Sequence, residues 1–192
     1  YKKYDVPVVI IEDKSPYTYN VLFNNERAGF IAGEYLLKSG LKKPGIILSA
    51  PDAVTSMRER LRGFSNSLKN RGMELPENMK FQIFDDAEMT IDRIASEIIR
   101  TNPDGVFCAS GDNKAVAVLK RLKRRGFDVS MLKMIGCDDN ELADSFGLTT
   151  IRQPLPAMGE KALEMAAIAA QHGSYKPDTV IFEPELIIRE TA

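Results

Sequence analysis

Two adjacent carboxylates, Asp138 and Asp139, end the apolar run from Lys133 to Cys137. An ionised carboxylate can only accept hydrogen bonds. Held at the end of a buried strand, it suits the hydroxyl or amide donors of a small molecule. Its natural complement is a guanidinium, a rigid fork of five donors that matches adjacent hydroxyls or a carboxylate. Arg60 is the candidate, one turn into a helix whose start is announced by Ser56 and Glu59, spaced as a Ser-x-x-Glu capping box. Pattern alone leaves a second reading for each. Arg60 can be a surface arginine among Arg58, Glu59 and Arg62, Ser56 only an N-cap, and Asp138 and Asp139 helix caps. Opposed across a crevice, Arg60 and Asp138 would orient a sugar or a nucleobase without transforming it.

Other chemistries are poorly represented. There is no His/Cys set at ligand spacing and no Asp-x-Asp-x-Asp-Gly loop, so no metal is expected. A Gly-x-Ser-x-Gly elbow, a Gly-x-Gly-x-x-Gly turn and a phosphate-cradling Lys loop are all missing, so neither enzyme nor cofactor is expected. Cys108 and Cys137 lie in apolar runs, and the one histidine, His172, ends a different helical pattern. Both thiols therefore read as reduced packing residues. The basic run Lys120 to Arg125 occupies the last turns of a helix, where cations complement the macrodipole, and reads as a solvated helix end.

The elements that must position these residues alternate. Val6 to Ile11 is a continuous β-branched run, the pattern of a strand buried on both faces. Strand patterns follow near Gly45–Ser49, Lys80–Phe84, Val106–Ala109, Lys133–Cys137 and Leu148–Arg152. Between them lie helical patterns. Ala28, Ile31, Ala32, Tyr35 and Leu36 share one face, as do Leu61, Phe64 and Leu68, and Ile91, Ile94, Ala95, Ile98 and Ile99. A helix over 113–125 ends before Gly126. Another, begun by Pro156, carries Met158, Ala162, Met165, Ala166 and Ala169 on its stripe. Extended segments at Thr179–Phe182 and Glu185–Arg189 close the chain. Strand–helix alternation with short connections predicts a parallel sheet wrapped by helices. In such sheets ligands bind outside the carboxyl ends of the strands, where Asp138 stands.

Composition sets the outer limits. The 192 residues are 44% hydrophobic and 28% charged, with a net charge of −1. That is the make-up of a globular chain with no global attraction to nucleic acid or anionic membrane. No apolar run approaches a bilayer span, and the first residues show no signal-peptide pattern, so a cytoplasmic location without membrane contact is expected.

The segment Ile135-Gly-Cys-Asp-Asp139, followed by Leu148-Thr-Thr-Ile-Arg-Gln-Pro154, resembles the lactose-repressor (LacI/GalR) family of transcription regulators. That family carries a Gly-aromatic-Asp-Asp turn and a Leu-Thr-Thr-Ile-x-Gln-Pro strand, and Cys137 replaces the aromatic. Ser56, Arg60, Gly63 and Phe64 match a second family segment, Ser/Thr-x-x-x-Arg-x-x-Gly-Phe. The resemblance implies effector contacts from Ser56, Arg60 and Asp138, from the aromatic Phe23, and from an acidic residue at Glu12 or Asp13, with the alignment favouring Glu12. Where the family shows an effector-binding asparagine, this chain has Gly111, and where it stacks an aromatic, this chain has Ala87. Either Phe84 replaces that aromatic or the pocket is roomier there. Asp112 matches an aspartate read as a helix cap.

The implied fold is α/β, periplasmic-binding-protein-like type I, a parallel sheet flanked by helices in two lobes, the first incomplete in this chain. Residues 1–23 and 153–184 would be the remnant of the first lobe. Residues 24–152 and 185–192 would form the second, with strand order 2-1-3-4-5. The implied function is the ligand-sensing and dimerisation region of a regulator that forms a homodimer. A small sugar-like effector between two lobes would favour one arrangement and so control operator DNA, held by a helix-turn-helix domain outside these residues. A secreted sugar-binding transport protein of the same architecture is the alternative.

Overall fold

The computed structural model describes residues 7–50, 53–84, 88–172 and 178–192. In chain order the elements are β1 (Val9–Ile11), β2 (Tyr19–Phe23), α1 (Asn25–Lys38), β3 (Pro44–Ser49), α2 (Thr55–Lys69), β4 (Lys80–Ile83), α3 (Glu88–Thr101), β5 (Gly105–Cys108), α4 (Asp112–Arg124), β6 (Lys133–Asp138), α5 (Glu141–Ser145), β7 (Thr149–Arg152), α6 (Leu155–His172), β8 (Thr179–Phe182) and β9 (Glu185–Ile187). They divide into two compact units, residues 1–24 with 153–184, and residues 25–152 with 185–192.

The larger unit is a six-stranded sheet of order β4-β3-β5-β6-β7-β9. Its first five strands are parallel, in the expected 2-1-3-4-5 order, and β9 adds antiparallel to β7 through Ile151↔Leu186. Strands buried on both faces need apolar residues throughout, and Ile46, Ile47, Leu48, Val106 and Phe107 are buried accordingly. Helices α1 and α2 cover one face, α3 and α4 the other. Each large fully buried side chain, such as Phe64, Phe81 or Phe107, contributes about 1.5–3 kcal/mol. Cys108 and Cys137 sit on the neighbouring strands β5 and β6, buried and unbridged.

Helices α1 and α2 are in backbone contact. A Cβ on Gly29 would lie 2.0 Å from the Arg60 carbonyl oxygen, and one on Gly63 would lie 1.8 Å from that of Glu26. Glycine at both positions lets the helices approach this closely, and the approach brings the start of α1 beside Arg60.

The smaller unit is a parallel three-stranded sheet, β1-β2-β8, with α6 packed on β1 and β2 through Met158, Ala162, Met165 and Ala169. Two expectations change here. Strand β2 has no counterpart in the sequence reading. Its Asn20 breaks the apolar run, yet is buried and bonded to Thr18 and Thr179. The β1 region was expected to be buried on both faces. It is a three-residue edge strand, half-buried, with Ile11 46% exposed, because α6 is the one helix packed on it among the described residues.

Three local expectations also change. Helix α2 begins at Thr55 with Val54 as its extended N-cap, so Ser56 is the second helical residue and makes no cap bond. Ile99 is 40% exposed, beyond the edge of the stripe that buries Ile94, Ala95 and Ile98. Asp112 does not cap α4. Gly111 holds the cap position, and Asp112 is the first helical residue, turned inward and fully buried.

Candidate functional site

Backbone strain gathers where strands end. Ala50 after β3 (φ 41°), Asp138 at the end of β6 (φ 127°) and Asp139 (φ 61°) all take positive φ, as does Gly111 (φ 104°) after β5. Non-glycine residues in such conformations cost of the order of 1–3 kcal/mol each and persist only where their surroundings enforce them. These strand ends form one edge of the larger unit.

Arg60 rises to this edge from the second turn of α2. It was expected outside the core. It is 5% exposed, because the glycine-mediated contact of α1 with α2 encloses its stem. Its Nε donates to Asn25 Oδ1 at 2.8 Å and its Nη1 to the Ala109 carbonyl at 2.6 Å. The guanidinium is thus oriented by the first residue of α1 and the end of β5.

Asp138 stands nearby. Burial pushes its carboxyl up to about 6, and the neighbouring Asp112 charge adds to the rise. The Arg60 charge and the Asp112 N–H, which donates to the carboxylate, oppose it. Gly111 leans against the same carboxylate, and a Cβ there would lie 2.8 Å from Asp138 Oδ2. Space and φ together therefore require glycine where the family shows asparagine. Ser110, just before it, has a buried Oγ with no hydrogen-bond partner among the described residues.

Asp139 has a different task from its neighbour. It accepts from Arg152 Nε at 2.7 Å and from Arg189 at 2.8 Å. Burial raises its carboxyl, but these two hydrogen bonds outweigh that and hold it below the usual range. The N-cap of α5 is Asn140, whose Oδ1 accepts from the N–H groups of Leu142 and Ala143.

The remaining expected residues are spread more widely. Ser56 is half-buried at the start of α2. Glu12 (φ 64°) and Phe23 meet each other in the smaller unit, where Glu12 Oε1 accepts from the Phe23 N–H at 2.8 Å. Ala87 lies outside the described residues. Phe84 is 73% exposed, with the Arg93 guanidinium 5.3 Å from its ring centroid. In the basic run, Arg121 turns to Asp92 (2.6 Å) and Glu88 on α3, while Lys120, Lys123 and Arg124 face solvent.

A family model described as a periplasmic binding protein-like domain matches residues 34–192. The chain belongs to this family. It is 30% identical over 199 residues to the HTH-type transcriptional repressor PurR of Vibrio vulnificus, across 99% of this chain and 58% of that protein. A periplasmic binding protein/LacI transcriptional regulator from Alkaliphilus metalliredigens, solved with D-xylulofuranose, matches with a TM-score of 0.84 and 26% identity. That match covers 100% of this chain and 72% of the other. A LacI family regulator from Enterococcus faecium with bound ribose shares the fold, with a TM-score of 0.87 at 19% identity over 99% of this chain and 72% of its own. The periplasmic binding protein-like domain here thus corresponds to the core of LacI/GalR-type regulators. It spans about 58% of the length of the curated relatives it matches.

Within this domain, sequence reasoning missed Asn25 and Thr150, and it read Asp112 only as a helix cap. Each is polar and buried, and each meets its partner only through tertiary contacts. Their one sequence signal is a polar residue at the edge of an apolar element, which solvent-facing residues share.

Proposed function

We propose that these residues are the ligand-sensing and dimerisation region of a LacI/GalR-type transcription regulator. The effector is a small, hydroxyl-rich molecule, a sugar or sugar derivative, held at the strand ends of the larger unit. The observation that carries this reading is the buried, pre-oriented Arg60 beside the raised carboxyl of Asp138. The guanidinium donates to hydroxyl oxygens and the carboxylate accepts from hydroxyl protons, so a polyol satisfies both. Ser110 Oγ and the Ser56 hydroxyl add donors or acceptors of the same kind. Gly111 would contribute backbone and room. Glu12 and Phe23 keep, as part of the proposal, the roles that the resemblance implies, and Ala87 stands where the family's stacking aromatic would be.

The ligands bound in two similar structures, D-xylulofuranose and ribose, support a sugar. By the same reading the protein acts in the cytoplasm as a homodimer and binds operator DNA through a domain outside these residues. It performs no catalysis. Among the described residues, no helix is long and apolar enough to cross a membrane. Control of the operator requires that the effector bind two states of the regulator with different affinity.

Thermal shift against D-ribose, D-xylulose and cellobiose tests the effector class. A sugar present at about 100 times its Kd adds roughly 2.7 kcal/mol, or roughly 5–10 °C in Tm for a chain of this size. No shift with any free sugar would overturn the sugar reading, and turnover of a bound sugar would overturn the non-enzyme reading.

A further inference from the structure

The turn that presents Asp138 is strained at two successive residues, with φ 127° at Asp138 and 61° at Asp139. Something must hold it. The described residues on its inner side converge on one side chain, Asp112, which is fully buried at the first position of α4.

One oxygen of Asp112, Oδ1, accepts from Thr150 Oγ1 at 2.6 Å, which ties it to β7. The other, Oδ2, accepts from the Asn140 N–H at 3.1 Å, and the carboxylate also accepts from the Asp139 N–H. The Asp112 N–H donates in turn to the Asp138 carboxylate. The route between them is kept clear by Gly136 on β6. A Cβ there would lie 2.1 Å from Asp112 Oδ1, so any side chain would displace the carboxylate. Three donors reach one carboxylate that has none to return, which fits its ionised form. Burial pushes its carboxyl up, and the bonds from Thr150, Asn140 and Asp139 oppose that rise.

We propose that Asp112 is a positioning residue for the effector site: it clamps the strained Asp138–Asn140 turn and thereby sets where the Asp138 carboxylate stands. This rests on the reading of Asp138 as an effector contact. Asp112 is sealed from the site's solvent and acts through its neighbour. It orders the turn before any ligand arrives, which spares binding the cost of ordering it.

The decisive measurement needs no effector. Asp112→Asn keeps shape and an acceptor for Thr150, but turns an amide donor toward the Asn140 and Asp139 N–H groups. It also removes the charge that helps to raise Asp138. Carboxyl-carbon NMR on the intact protein should show the Asp138 midpoint falling from about 6 toward the ordinary carboxylate range, with the Asp139 and Asn140 amide signals displaced. Loss of the charge lowers that midpoint by itself, so the amides decide: a merely structural role would lower stability and leave the Asp139 and Asn140 amides in place, and this result would overturn the proposal. Thr150→Val, which removes one anchor without touching charge, keeps the test alive should Asp112→Asn not fold. It should displace the same two amides by less, and unmoved amides would equally overturn the proposal.

Calorimetry with D-xylulose forms a separate arm. If wild type binds it, Asp112→Asn should weaken binding by at least roughly tenfold, the scale of a lost charged hydrogen bond. The loss should vanish when Asp138 is already Asn, and a loss that persists there would overturn the proposed route through Asp138. If wild type does not bind D-xylulose, the effector assignment is what fails for that sugar, and the NMR result still decides the role of Asp112.

Discussion

At the scale of residues, the site is a matter of two charges kept in unfavourable surroundings. Arg60 is enclosed, with two of its five N–H donors turned to Asn25 and Ala109, so its removal takes a charged donor away from two buried acceptors. Arg60→Ala should therefore lose about 2–4 kcal/mol of stability as well as effector binding, at about 1–3 kcal/mol per buried acceptor that loses its charged donor. Urea unfolding measures it, and an unchanged midpoint would mean that the burial of Arg60 carries no load. Asp138 has the opposite sign. Its folded pKa of about 6 lies above the ordinary unfolded value of about 4, so the folded protein binds a proton that the unfolded chain releases. Stability is thus lost as pH rises through that window. Asp138→Asn should stabilise by about 1–3 kcal/mol at pH 7.5, and the gain should disappear below about pH 4. Denaturation at both pH values checks the direction. The sequence made the residue types of this pair legible, because an arginine near a capped helix start and an aspartate after an apolar strand are local signals. It did not show the burial of Arg60, which depends on helix α1 arriving from 35 residues away.

At the scale of elements, the approach of α1 to α2 governs where Arg60 stands. Gly63→Ala offers a helix-propensity gain of about 1 kcal/mol, but its methyl would meet the Glu26 carbonyl at 1.8 Å. Overpacking costs of about 1–3 kcal/mol or more exceed that gain, so the variant should be destabilised and its Arg60 signals displaced. Gly159 in α6 is the control, with nothing among the described residues within 4 Å of an added Cβ. Gly159→Ala should stabilise by about 0.5–1 kcal/mol. Thermal unfolding of both variants measures the contrast. Helices α1, α3, α4 and α6 were legible because amphipathic periodicity survives without tertiary knowledge. Two features were not. Strand β2 is only five residues long and carries a buried asparagine. The start of α2 is set by the extended backbone at Val54, which overrides the Ser56–Glu59 spacing.

At the scale of the whole molecule, the parallel order of five strands followed from strand–helix alternation, and the structure has that order. The antiparallel β9 and the pairing of β2 between β1 and β8 could not be read, because alternation says nothing about edge strands. The proposal above is that a hydroxylated effector is held by Arg60 and Asp138 in the periplasmic binding protein-like domain. Titration calorimetry of the intact protein at pH 7.5 tests it most directly, with D-ribose, D-xylulose and cellobiose offered to wild type and to Asp138→Asn. Saturable heat is expected for at least one sugar in wild type, with binding weaker by roughly tenfold or more in a fully folded Asp138→Asn. A sugar bound equally well by both proteins would contradict it.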